Sequence, residues 1–327
     1  MLAIEQTDPE DPRSLTWAEA PTPRPTTGEV LVKVAATAVN RADLLQAAGH
    51  YPPPAGESAI LGLECGGVIA EVPADGSAGD WAVGEEVLCL LAGGGYAEYA
   101  AVPAGQLMRP PAGLPMTEAV SLVEVACTVW SNLVMTAGLR AGETVLIHGG
   151  AGGIGTFAIQ LCRALGATVA TTAGGPAKVA RCRELGADIA IDYREEDFAE
   201  VLADHGGADV ILDIIGAKYL DRNIRALAPD GRLVIIGMQG GVKGELNIAR
   251  LLAKRGSVTA TGLRYRDRAD KARIVAATAA GAWPLVESGA IRPSVHRVMD
   301  IREAAAAHDL LDSGEVSGKL VLTIGGA

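Results

Sequence analysis

Gly150, Gly152 and Gly155 stand at the spacing G-x-G-x-x-G, with Gly149 and Gly153 as extras. Glycines so spaced can cradle a diphosphate. Gly150 is expected to permit a tight turn. Gly152 has no Cβ to hold the backbone away from a pyrophosphate, and Gly155 would let a helix pack close on a strand. The helix would then turn its unsatisfied N–H groups and positive dipole end toward the phosphates. A glycine-rich turn without a ligand can carry the same letters, so the flanking elements decide. Val145-Leu146-Ile147 is an apolar run of the kind found in buried parallel strands. Phe157, Ala158, Leu161, Cys162 and Leu165 recur at helical spacing, and residues 168–172 form a second strand-like run. Strand, glycine turn, helix and strand together are the setting that dinucleotide binding requires.

The end of that second strand bears on which dinucleotide. An NAD site usually places Asp or Glu there, about 20 residues past the first glycine, to hold the ribose 2′-OH. Here the stretch reads Ala170-Thr171-Thr172-Ala173-Gly174-Gly175, with no carboxylate. Lys178 and Arg181 follow, where a 2′-phosphate could be neutralised, although such charges also solvate outer helix faces. The missing acid and the following bases together favour NADP.

The rest of the chain must position such a loop. Its 327 residues suffice for one large domain or two ordinary ones. With 49% hydrophobic but only 4% aromatic residues, Ala, Val, Leu and Ile must fill the core. A net charge of −11 argues against a nucleic-acid surface, which needs clustered Lys and Arg. Five cysteines without a C-x-x-C pair argue against a disulfide framework or a thiolate zinc site. The N-terminus has no apolar signal core and no run is expected to be long enough to span a bilayer. These features lead to an expectation of a cytoplasmic enzyme.

Residues 1–121 read as short strands with many turns, the pattern of a compact β domain. Residues 122–264 alternate strand-like and helical runs, which predicts right-handed βαβ units in a doubly wound parallel sheet of six strands. The sixth strand is expected near Ser257–Thr261. Residues 265–327 are too few for a separate large core. They are expected to return and complete the first domain, which makes the nucleotide domain an insertion with the active site in the cleft between the two.

Several segments resemble the zinc-free quinone oxidoreductase branch of the medium-chain dehydrogenase/reductase superfamily, and within it the p53-inducible quinone oxidoreductase-like group. They are Val39-Asn40-Arg41-Ala42-Asp43-Leu44-Leu45-Gln46, Gly49-His50-Tyr51-Pro52-Pro53-Pro54, Leu61-Gly62-Leu63-Glu64-Cys65-Gly66-Gly67, Gly95-Tyr96-Ala97-Glu98-Tyr99, the 148–155 loop and Ile191-Asp192-Tyr193-Arg194-Glu195. The resemblance implies a Rossmann sheet inserted into a GroES-like β-rich domain, NADPH as cofactor, and a homodimer. It also implies site residues. Asn40 and Tyr51 would lie near the nicotinamide and serve the acceptor. Thr128, Gly152, Gly153, Ile154 and Gly174 would contact cofactor. Lys178 and Tyr193 would meet the adenosine phosphate, the Gly237-Met238-Gln239 loop would sit beside the nicotinamide, and Lys319 would supply a basic group near the cofactor.

Zinc alcohol dehydrogenases resemble this chain but place Cys where Asn40 stands and His where Leu63 stands. Neither residue present can replace a thiolate or imidazole ligand, so no metal is expected. His148, at a strand end, is expected to be structural. A quinone is electron-poor already and needs no Lewis acid, which makes NADPH-dependent quinone reduction the leading expectation. The rivals are reduction of an activated C=C in an enone or enoyl thioester, and a non-catalytic cofactor-binding or RNA-binding protein. Acceptor specificity is expected in loops around Leu91–Gly95, Val125–Trp130 and Gly262–Arg268.

Overall fold

A computed structural model describes residues 1–325. The chain forms two compact units. One comprises Met1–Cys127, Leu263–Glu287 and the residues from Pro293 onward; the other comprises Thr128–Gly262 and Ser288–Arg292.

The second unit is a six-stranded, wholly parallel sheet. In spatial order its strands are Ile189–Asp192, Thr168–Ala173, Thr144–His148, Ala208–Asp213, Leu227–Ile235 and Ser257–Ala260. In chain order that is 3-2-1-4-5-6, the doubly wound Rossmann arrangement, with its reversal beside Thr144–His148. Val145, Leu146 and Ile147 are fully buried, as a central parallel strand covered on both faces demands. Leu146, Ala170, Ile191, Ile211 and Leu233 share one core with Phe198, Leu202 and Ile224 from the covering helices.

The first unit is built on the long strand Glu29–Val39, which pairs antiparallel with Glu64–Glu71, Tyr99–Pro103 and Lys319–Thr323. The chain's last strand therefore lies beside one of its first. Val295–Asp300 adds parallel to Lys319–Thr323, and Glu86–Leu90 and Leu107–Met108 extend the other side. This is the β-rich, GroES-like partner of the Rossmann sheet. Leu2–Gln6 and Leu15–Glu19 form a separate hairpin.

Two expectations need correction. Residues around Val125–Trp130 are not a loop. They belong to a helical stretch, Met116–Thr136, whose last part, Trp130–Thr136, is π-helical. That same stretch is 21 residues long and, by length and composition, apolar enough to cross a membrane. The expectation that no run would reach that length therefore fails. Most of the stretch is buried inside the protein, the usual state of an apolar core helix.

Candidate active site

In the nucleotide-binding unit the glycines divide the work differently from the expectation. The residue with positive φ is Gly149, at 74°, so the tight turn is made there and not at Gly150. Gly150 is needed for packing: a Cβ there would lie 2.1 Å from Thr171 Oγ1 and 2.9 Å from Cys182 Sγ. Gly155 is needed too, since its Cβ would lie 2.3 Å from the Gly149 carbonyl oxygen. Gly152 is the exception. Its φ is −77°, and an added Cβ would meet only the Gly149 oxygen, at 3.4 Å. The fold leaves room at Gly152, which is the N-cap of helix Gly153–Ala164. Gly153 and Ile154 open that helix, where backbone N–H groups lack intrahelical acceptors. A dinucleotide pyrophosphate fits this cradle.

His148 ends the strand that leads into the loop. It is buried, and its Nε2 is 2.7 Å from Asn223 Oδ1 and its Nδ1 3.0 Å from Thr172 Oγ1. Asn223 in turn donates to Asp213, whose carboxylate also accepts from the Ile215 and Gly216 N–H groups. The ring is thus tied into a structural network, and burial pulls its pKa down to about 4.

At the end of strand Thr168–Ala173, Gly174 faces the Tyr193 ring: a Cβ there would lie 2.6 Å from the Tyr193 hydroxyl. Lys178 lies in the first turns of helix Pro176–Glu184, and Arg181 on the same helix pairs with Glu184 at 3.1 Å. Gly237 abuts the Ile214 carbonyl, Met238 is exposed, and the Gln239 N–H donates to the Ile214 oxygen. Thr128 is buried in helix Val123–Val129, and its carbonyl accepts from Ser131 and Asn132.

The β-rich unit gathers a second group of polar side chains. The pairing Leu320↔Val39 places Lys319 beside Asn40, and Thr37↔Cys65 places Glu64 on the strand alongside. Lys319 Nζ donates to Asn40 Oδ1 at 2.6 Å and to Glu64 Oε1 at 2.7 Å. Asn40 Nδ2 donates to the same Glu64 oxygen at 2.8 Å, and the Glu124 N–H donates to the other at 2.7 Å. All three side chains are buried. Asn40 occupies the N-cap position of helix Arg41–Ala47, and Asp43 reaches back to its N–H at 2.7 Å. Asp43 also accepts from the Gly62 N–H at 3.0 Å and from the Tyr96 hydroxyl at 3.4 Å. Burial raises its pKa to about 7, against the hydrogen bonds from Asn40 and Gly62 and the Lys319 charge. Lys319 is therefore held in an ion pair inside this unit, a role the sequence did not disclose.

Tyr51 lies in a Pro-rich turn of the same unit. Its ring packs edge-on against Tyr265, with centroids 5.3 Å apart, and the Arg264 guanidinium lies 5.0 Å from its centroid. Burial raises the Tyr51 pKa to about 12, so its hydroxyl stays protonated and able to donate. That hydroxyl makes no hydrogen bond to the described residues. Sequence reasoning singled out the loop holding Arg264 but not the residue itself. The available signal was an unusual density of bases from Arg264 to Arg273 in an acidic chain.

The residues present do not fit a zinc ion. Leu63 is a buried aliphatic side chain, and both ends of the Asn40 amide are engaged by Lys319 and Glu64. Among the described residues no cluster of three or more His, Cys, Asp or Glu could hold a metal.

Comparison with known proteins accounts for both units. Residues 26–112 match the Alcohol dehydrogenase GroES-like domain and residues 153–280 match the family described as Zinc-binding dehydrogenase, whose metal has no donor set among the described residues. The chain is 31% identical over 319 residues to the 2-haloacrylate reductase of Burkholderia sp, covering 95% of each. It is 31% identical over 315 residues to the quinone oxidoreductase of Pseudomonas aeruginosa, covering 95% of this chain and 96% of that one. The crystal structure of Escherichia coli quinone oxidoreductase complexed with NADPH aligns with a TM-score of 0.88 at 26% identity, covering 99% of this chain and 100% of the other. Some relatives are far longer. The chain spans only 6% of the polyketide synthase GfsB of Streptomyces halstedii, at 34% identity. With two relatives above 30% identity matched nearly end to end and both units accounted for, the chain is an oxidoreductase of the medium-chain dehydrogenase/reductase superfamily and belongs to its quinone oxidoreductase-like group.

Proposed function

We propose that the chain binds NADPH and reduces quinones to hydroquinones by hydride transfer, with no metal ion. Bound NADPH would supply the hydride; a proton from solvent completes the hydroquinone, leaving NADP+. Gly152, Gly153 and Ile154 take the pyrophosphate, and Lys178 and Tyr193 take the 2′-phosphate beside Gly174. Thr128, Gly237, Met238 and Gln239 contribute further cofactor contacts. The stretch Ala173-Gly174-Gly175 supports NADPH over NADH, since it holds no carboxylate to grip a free ribose 2′-OH. Asn40 and Lys319 form a fixed polar corner, and Tyr51 serves the acceptor.

The observation that carries the choice of acceptor is the Tyr51 hydroxyl. It has no partner among the described residues, so it can donate to a carbonyl oxygen, yet a pKa pushed to about 12 makes it a poor proton source. Quinone reduction needs only the hydrogen bond, because the hydroquinone monoanion takes its one proton from water. The second reading, reduction of an activated C=C, draws on the likeness to 2-haloacrylate reductase. That reaction would ask Tyr51 to deliver a proton to carbon. Five buried, unpaired cysteines support a reducing, cytoplasmic setting. The acidic charge of −11 speaks against RNA binding.

The test is NADPH oxidation by the purified protein with 1,4-naphthoquinone, an ortho-quinone and a simple enone. Quinones should be turned over faster than the enone, and Tyr51→Phe should lower turnover with little change in NADPH affinity. Turnover of the enone alone would replace this reading with the second. Turnover of neither, with no binding of NADPH, would leave a non-catalytic protein.

A further inference from the structure

Five basic residues lie between Arg264 and Arg273, and their pairing is the reverse of what stability would select. The more accessible ones have carboxylates. Arg266 pairs with Asp270 at 2.5 Å, Arg268 with Glu29 at 2.6 Å, and Arg273 with Asp270. The two buried ones have none. Arg264 is 4% exposed and Lys271 2% exposed, and neither is in an ion pair among the described residues. An unpaired cation in a protein interior is costly, because the water it loses is not replaced by an opposite charge. The cost registers in both groups: burial pulls both pKa values down, the Arg264 charge adds to this at Lys271, and the Glu57 carboxylate, not in salt-bridge contact with either, works against it at both.

Arg264 spends three donors on neutral oxygens. Nε donates to Ala92 O at 2.8 Å, one terminal nitrogen to Tyr51 O at 2.8 Å, and the other to Gln46 Oε1. A guanidinium has five N–H groups, so one N–H remains on each terminal nitrogen. Two donors on adjacent nitrogens are what the paired oxygens of a carboxylate or sulfonate accept. The cation also lies 5.0 Å from the ring centroid of Tyr51, whose hydroxyl is open to an acceptor.

We infer that Arg264, supported by Lys271, selects acceptors that carry a negative group, a carboxylate or sulfonate, on the electron-poor ring or alkene. The inference rests on the proposed reduction of such acceptors and narrows it to anionic ones. The same oxyanion chemistry could come from the phosphates of the dinucleotide, and the experiment separates the two sources.

Wild type, Arg264→Gln and Lys271→Met are compared on a matched pair, 1,4-naphthoquinone and 1,4-naphthoquinone-2-sulfonate, at saturating NADPH. The wild type should favour the sulfonate in kcat/KM. Arg264→Gln should lower the sulfonate-to-neutral ratio about tenfold or more, the worth of one charge-assisted contact. Lys271→Met should lower it in the same direction. Because Arg264 also ties three segments together, loss of that strap alone would depress both quinones equally and leave the ratio unmoved. NADPH affinity, measured by fluorescence without acceptor, should change less than twofold. An unchanged ratio in both variants overturns the inference, as does a loss of NADPH affinity matching the loss of ratio, which would assign the cation to the dinucleotide. If Arg264→Gln does not fold, an unchanged ratio in Lys271→Met is decisive against it. A wild type that reduces neither quinone refutes the proposed function and this inference with it. One that reduces both without distinguishing them refutes the inference alone.

Discussion

Asp43 is the residue whose environment makes the sharpest demand. Its carboxyl is fully buried, and burial raises its pKa to about 7. An unfolded Asp titrates near 4. The folded state therefore holds a proton that the unfolded state has lost between those values. The stability this contributes is complete below about pH 4 and is lost as pH rises through about 7, at about 1.4 kcal/mol per pH unit within that window. Asp43→Asn cannot titrate. Its fixed cost, from turning an amide N–H toward the Asn40 or Gly62 N–H, is independent of pH. The stability gap between wild type and Asp43→Asn, by urea unfolding, should be largest near pH 4–5 and shrink toward pH 8. A gap that stays constant over that range would mean Asp43 is not held protonated by the fold. His308 faces the same Tyr96 hydroxyl at 3.3 Å and its pKa is lowered to about 4 by burial, an opposite slope that cancels in the comparison. Little of this was legible beforehand. Lys319 lies 279 residues from Asn40 and 255 from Glu64, themselves 24 apart, and only the strand register brings the three together.

At the scale of the element, the glycine loop separates what the fold needs from what a ligand needs. Gly155 could not gain a methyl group without striking the Gly149 oxygen and the Gly150 backbone, whereas Gly152 could. Gly152→Ala is therefore expected to fold with stability within about 1 kcal/mol of wild type, since its φ suits any residue. It should nonetheless weaken NADPH about tenfold or more, because the methyl would stand where the pyrophosphate approaches. Gly155→Ala should instead destabilise the protein by about 2 kcal/mol or more through overpacking. Calorimetric titration and thermal unfolding of the pair test this, and equal losses of stability in both variants would contradict it. The strand–turn–helix here was readable because apolar β-branched residues and glycines punctuate it sharply. Residues 116–136 were not. They are apolar on nearly every side, so no period marks a helix. The N-terminal hairpin was missed for a similar reason, since only Ala3 and Ile4 of its first strand are buried and no alternation survives.

At the scale of the whole molecule, the Rossmann sheet ends in a strand with no second neighbour among the described residues. There Ser257–Ala260 pairs with Leu227–Ile235, and its outer edge is a row of backbone donors and acceptors. Exposed apolar side chains cluster in the chain just before it: Met238, Val242, Ile248 and Leu252 are each more than half exposed. Ile248 and Leu252 are four residues apart on helix Ile248–Lys254, which buries no residue, so both lie on one uncovered face. Isolated apolar residues on a surface need no explanation, but an unpaired strand and an apolar helix face in the same unit together suit a two-fold interface. A second copy would pair the two edge strands antiparallel and cover both helices, giving a homodimer with a continuous sheet. Sedimentation should therefore find a dimer at micromolar concentration. Thr261 donates inward to the Ile235 oxygen, so by alternation the N–H of Val258 faces the open edge. Val258→Pro removes that edge donor, and Ile248→Glu with Leu252→Glu puts charge on the covered face; each change should shift the protein toward monomer while the unit itself stays folded by circular dichroism. A wild type that sediments as a monomer at tens of micromolar would rule this interface out. A dimer untouched by either change would place it elsewhere.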